Sequence, residues 1–150
     1  MIFKLPVAER LGRWKQFRNS ISSLPVTEAL EQTLNLWNSC PFIPFYLPPD
    51  TPNQWPDPWQ LISENYYCDL AKTLGIVYTL YLSDHKLTLE PEIRVYYDPD
   101  TRYTYHIAYF NHGKYVINLV EDEIVNNTHV DQRLKLKYCY TAIDLKLEQY

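Results

Sequence analysis

Apolar residues recur at helical spacing in two stretches of the first half of the chain. Leu30, Leu34 and Trp37 lie three to four positions apart and so share one helix face. Thr27 stands ahead of them as a candidate N-cap, and Glu28 puts a carboxylate in the first turn, where the helix dipole favours it. This helix is expected to stop near Cys40, before Pro41. A second helical pattern runs through Trp59, Leu61, Ile62, Tyr66, Leu70 and Leu74. Asp57-Pro58 opens it, a capping carboxylate followed by proline at the first helical position, and Gly75 reads as its C-terminal stop. Two versions stay open here. One is a continuous helix from Pro58 to Leu74; the other has Ser63 or Asn65 capping a new helix that begins just before Cys68. Residues 1–24 are amphipathic but weakly patterned.

The second half reads as strands. Ile76 to Leu82 is a continuous apolar run of strand length, expected as a buried strand. Ile93 to Tyr97 is the next, and Asp98-Pro99-Asp100-Thr101 signals a type I turn with proline at its second position. Arg102 to Phe110 and Lys114 to Leu119 form a pair, residues 121–132 a polar loop, and Leu134 to Leu145 a last strand. Helices early and strands late make an α+β fold, with N-terminal helices packed on a C-terminal antiparallel β-meander. A length of 150 residues suits a single domain, 1–150, with 1–24 as an N-terminal segment and 41–58 as an arm. The arm carries seven prolines together with Phe42, Phe45, Tyr46 and Trp55. Such a segment is stiff and extended, and its aromatics are expected to pack over the body or a partner.

One hairpin bears on function. Phe110-Asn111-His112-Gly113-Lys114 contains one of only three glycines. A three-residue loop needs a left-handed residue at its third position, which glycine supplies at least cost. Residue 110 then pairs with 114, and His106 falls opposite Asn118 on one face. That face also carries Thr104, Ala108 and Val116, and the other carries Tyr105, Ile107, Tyr109, Tyr115, Ile117 and Leu119. Cross-strand partners lie roughly 5 Å apart at Cβ, within side-chain hydrogen-bond reach.

Charge narrows the function classes. The net charge is −4 and no run of lysine and arginine forms a stripe, so nucleic acid is not expected as a partner. No stretch approaches the roughly 20 apolar residues of a membrane span, and charges interrupt the first twenty residues, so neither membrane nor export is expected. Cys40, Cys68 and Cys139 cannot all pair, and none belongs to a CxxC, which argues against a disulfide scaffold or a zinc site. Glu121-Asp122-Glu123 reads as a solvated acidic turn, without the loop geometry of a calcium site. His85, His112 and His129 read as loop residues. No cofactor or metal is implied, and the expected location is cytoplasmic. Fourteen tyrosines and the proline-aromatic arm suggest contact surfaces, hence a protein partner and a structural or assembly role.

Cys68 competes with that reading. At the start of a helix the dipole and free N–H groups favour its thiolate. With His106 as general base and Asn118 fixing the imidazole tautomer, it would complete a Cys-His-Asn triad for acyl transfer or amide hydrolysis. In the structural reading Cys68 is a small core residue and the other two are strand residues. Cys68-Asp69-Leu70-Ala71, His106-Ile107-Ala108-Tyr109 and Tyr115-Val116-Ile117-Asn118 resemble the C-x-x-A, H-x-W and W-x-x-x-D pieces of the transglutaminase-like and papain-like cysteine superfamily. The resemblance spans about residues 57–120 and implies a helix carrying the nucleophile packed against a sheet carrying the other two. Three departures stand in it: Tyr66 and Tyr67 in place of small residues before the cysteine, Tyr109 in place of tryptophan, and Asn118 one position early. Trp55-Pro56-Asp57-Pro58-Trp59, with Tyr66 to Ala71, also resembles small proteins of tailed phages infecting cyanobacteria, which would imply a virion component.

Overall fold

A computed structural model describes residues 1–150. Four helices come first: α1 (Val7–Ser22), α2 (Val26–Trp37), α3 (Pro58–Glu64) and α4 (Asp69–Tyr81). Five strands follow: β1 (Pro91–Tyr97), β2 (Thr104–Phe110), β3 (Tyr115–Ile117), β4 (Ile124–Val125) and β5 (Lys135–Thr141). The fold is α+β, and every strand pairing is antiparallel. The strand order is β4-β3-β2-β1-β5. The meander therefore runs only from β1 to β4. β5 returns across the sheet to pair with β1.

Helix α4 is the centre of the molecule, with ten of its thirteen residues buried. This corrects the strand expected over Ile76 to Leu82. A short, wholly apolar run looks the same in a buried strand and in a helix covered on all sides. Gly75 is correspondingly not a stop. It sits within α4 where an added Cβ would overlap the Trp37 indole. One turn on, the Thr79 hydroxyl accepts from both Trp14 Nε1 and Trp37 Nε1, each at 3.0 Å, and donates to the Gly75 carbonyl at 2.7 Å. A single hydroxyl thus ties α1, α2 and α4 together in the core.

The weak pattern over residues 1–24 conceals α1, whose buried face is Arg10, Trp14 and Ile21. Arg10 breaks the apolar periodicity because it points inward. Its guanidinium donates to the carbonyls of Ile62 at 2.8 Å, Ser63 at 3.1 Å and Leu5 at 2.8 Å, satisfying exposed carbonyls at the end of α3. Pro25, not Thr27, is the N-cap of α2, and Thr27 lies within its first turn. Asp57 caps α3 as expected, accepting from Gln60 N at 2.8 Å. The break is present, but neither Ser63 nor Asn65 caps the new helix: Asn65 ends α3 in the left-handed region at φ 60°, and Cys68 is itself the N-cap of α4.

The 41–58 arm lies against the body. Phe42 bridges Tyr67, and Ile43 N donates to Tyr67 O at 3.0 Å. Tyr140 of β5 donates to Pro49 O at 2.5 Å, and the Trp55 and Tyr140 rings meet edge-on at 5.2 Å. Phe42 and Phe45 nonetheless remain 69% and 93% exposed.

The β2–β3 hairpin differs by one residue from its expected register. The observed pairs are Ala108↔Ile117, Tyr109↔Val116 and Phe110↔Tyr115. Asn111 and His112 join Gly113 at positive φ (52°, 57° and 91°), which lengthens the loop to four residues. Asn111 is held there by accepting from Glu90 N at 2.7 Å and donating to Thr88 O at 3.0 Å. A one-residue slip exchanges the faces of the slipped strand. Val116 consequently joins Ile107, Tyr109 and Tyr96 on the outer face, and Ile117 joins Ala108 and Phe110 against α4.

Candidate functional site

The site forms where the first two turns of α4 meet the end of the β2–β3 pair. Cys68 is the N-cap of α4, extended at φ −79° and ψ 177°, and makes no capping bond through its side chain. It is only 5% exposed and belongs to the main core. Asp69, the first helical residue, turns its carboxylate to β2. His106 Nδ1 lies 3.0 Å from Asp69 Oδ2. An ionised carboxylate can only accept, so Nδ1 carries the hydrogen and Nε2 the lone pair of the neutral ring. The Asp69 side chain is 34% exposed and that of His106 17%.

Asn118 joins the same cluster by an unexpected route. It does not stand opposite His106, because the register has slipped and β3 has ended at Ile117. Its backbone instead turns to φ 74°, a conformation that asparagine tolerates better than most residues. Its side-chain amide thereby reaches Asp69 Oδ1 at 3.0 Å, Thr73 Oγ1 at 3.1 Å and the His106 carbonyl at 2.9 Å. Thr73, one turn along α4 from Asp69, also donates to that carbonyl at 2.6 Å. His106 and Asn118 are thus brought together through Asp69, and Asn118 holds the carboxylate that holds the ring. Cys68 shares in none of these bonds.

Asp69 and Thr73 were not singled out in the sequence. Their signal is the four-residue spacing that places both on one helix face, directly after the cysteine that drew attention. A cleft of about 410 Å³ opens beside the cluster. Asp69, Asn118, Lys72, Asn38, Tyr103 and Tyr105 are among its walls, whereas Cys68 and His106 are not.

The remaining thiols are not activated. Burial pushes the Cys40 thiol up to about 11 in spite of the nearby Lys72 ammonium. Cys139 on β5 is pushed to about 11 by desolvation and by its 2.9 Å bond to Glu92. The expected loop histidines divide. His112 and His129 are exposed, but His85 is buried with Nε2 2.8 Å from the Ile21 carbonyl. Its ring packs under the end of α1, which corrects the solvated reading. No three His, Cys, Asp or Glu side chains group so as to hold a metal ion, and no helix is long and apolar enough to cross a membrane.

No family model matches the sequence, and no curated protein is similar to it. Solved structures are. LapG of Legionella pneumophila superposes with a TM-score of 0.69 at 15% identity, covering 91% of this chain and 75% of that one. Its EGTA-treated form gives the same score with 91% and 74% covered, and its calcium-bound form gives 0.67 with 87% and 73%. Nothing in these likenesses bears on the resemblance to phage proteins. At this level of identity they show the fold alone: the chain shares the α+β architecture of LapG.

Proposed function

We propose that this protein uses the transglutaminase-like/papain-like fold without its thiol chemistry, and acts by binding a polypeptide partner. One observation carries the reading. The group facing the His106 imidazole across 3.0 Å is the Asp69 carboxylate, while the Cys68 sulfur is buried outside the cleft. A thioester mechanism needs a thiolate beside the base and a path for a carbonyl to reach it at roughly 3–3.5 Å. Cys68, 5% exposed within the main core, offers no such path. A carboxylate thus stands against Nδ1 where thiol chemistry would need the sulfur. The cluster of Asp69, Thr73, His106 and Asn118 then serves to fix α4 against the sheet and to shape the cleft.

Alkylation tests this in a variant carrying Cys40→Ser and Cys139→Ser, so that Cys68 is the sole thiol. Iodoacetamide should fail to label the folded protein at pH 7 and should label it in denaturant. Labelling of the folded protein that slows on His106→Ala would establish Cys68 as an imidazole-activated nucleophile, and the binding reading would give way to acyl transfer through Cys68, His106 and Asn118.

A further inference from the structure

A cavity larger than this cleft lies away from the cluster. It is a groove of about 790 Å³ between α2 and the free edge of the sheet. β4 is the terminal strand, with β3 on one side only. Residues 122–126 line the groove on the sheet side, and Thr27, Leu30, Glu31, Leu34 and Asn35 of α2 line it on the other. Along an antiparallel edge, alternate residues turn both N–H and C=O away from the paired neighbour. One of the two β4 residues therefore turns both groups away from β3, free for a further strand. The floor is apolar: half-buried Tyr115, Ile124 and Val125 lie beside the buried core residues Leu30 and Leu34. The rim carries Glu31, Asp122 and Glu123 against a single lysine, Lys114.

We infer that this groove takes a short extended segment of a partner protein, with lysine or arginine alternating with aliphatic residues, added as a strand beside β4. The inference rests on the binding reading and supplies its partner chemistry and its place. Three features fit together. A helix facing a free sheet edge makes a slot in which an added strand gains main-chain hydrogen bonds. Side chains along a strand alternate, so every second residue turns to the apolar floor and those between lie along the rim. The excess of carboxylates there selects cations and repels acidic segments. From Thr27 to Asn35 the helix rises roughly 12 Å, the length of about four extended residues. Asp122, which lines both this groove and the smaller cleft, accepts from Asn38 Nδ2 at 2.6 Å.

The test uses two acetylated, amidated hexapeptides, (Val-Lys)3 and (Val-Glu)3, titrated into the whole 15N-labelled protein. The lysine peptide should shift amide signals of residues 27–35 and 122–126, and the glutamate peptide should not. A version of the lysine peptide N-methylated at alternate amides should bind at least tenfold more weakly, because main-chain pairing is lost. Glu31→Lys with Glu123→Lys should abolish binding of the lysine peptide and admit the glutamate peptide, with the spectrum otherwise that of a folded protein. The absence of shifts, equal shifts with both peptides, or shifts elsewhere on the surface would overturn the groove. None of these results depends on Cys68, so failure here leaves the alkylation result standing, and the reverse holds as well.

Discussion

If Asp69 occupies the place where this fold would present a nucleophile to the imidazole, a cysteine installed there should be activated, and Cys68 one residue away should not. The perturbation is Asp69→Cys in a chain whose own cysteines are replaced by Cys40→Ser, Cys68→Ser and Cys139→Ser. The new sulfur falls near the position of the Asp69 carboxylate carbon, one bond short of the Oδ2 that stands 3.0 Å from Nδ1. It is the first residue of a thirteen-residue helix, so the dipole acts in the same direction as the ring. The side chain it replaces is 34% exposed, so a small reagent reaches it. An ordinary thiol near 8.5 is about 1% thiolate at pH 6.5, and one lowered to about 6.5 is half ionised. That ~50-fold gain is offset by ~6–10-fold lower intrinsic nucleophilicity over two units. Alkylation at pH 6.5 should therefore run about five- to eightfold faster than for an unstructured thiol, with its titration midpoint near 6.5. Adding His106→Ala should return the midpoint towards 8.5. A midpoint at 8.5 or above that is indifferent to His106→Ala would refute the placement of Asp69.

Thr79→Val leaves two buried indole N–H groups without an acceptor, and unpaired buried donors cost about 1–3 kcal/mol each. Urea unfolding should show a loss of about 2–5 kcal/mol, against less than about 1 kcal/mol for Thr79→Ser, which keeps the hydroxyl. Gly113→Val forces a β-branched residue to φ 91° with its Cβ against Asn127 and the Tyr109 ring, and should cost about 1–3 kcal/mol in the same assay. Cys139, although exposed, should alkylate slowly: a thiol raised to about 11 is ~0.3% ionised at pH 8.5, where an ordinary one is half ionised. Its rate should climb through pH 10–11 and should rise at pH 8.5 in Glu92→Gln, since removing the carboxylate lowers the thiol again.

What was legible in the sequence follows from how local each signal is. The Asp57-Pro58 start, the β1 strand and the positive φ of Gly113 depend on one or two residues and their own backbone, and each stands in the structure. Helix α1 and the second half of α4 were hidden for opposite reasons. Arg10 looks polar but is buried because α3 supplies carbonyls for it, a long-range fact. Residues 76–81 look like a strand because α4 is covered on every side, so no polar face marks its period. The path of β5 to the far edge beside β1 was likewise invisible, since strand order depends on pairing partners 38 to 49 residues away.

The candidate site shows how a wrong intermediate can coexist with a right neighbourhood. Placing His106 opposite Asn118 assumed that glycine alone would enter the left-handed region, because the chain has only three. Seven non-glycine residues are there instead, and four of them are Asn65, Asn111, Asn118 and Asp122. Short polar side chains do the work of glycine here while bonding nearby backbone. Asn111 lengthens the hairpin loop and slips the register, which alone would have sent residue 118 to the outer face. Asn118 then reverses that consequence, since its φ of 74° swings the amide back to the helix side. The same residue type thus creates the slip and compensates for it. An Asn118→Ala change removes the amide but also penalises the backbone turn, so it cannot separate the two roles. Asn118→Gly keeps the turn, and any loosening of His106 that it causes belongs to the lost hydrogen bonds with Asp69 and the His106 carbonyl.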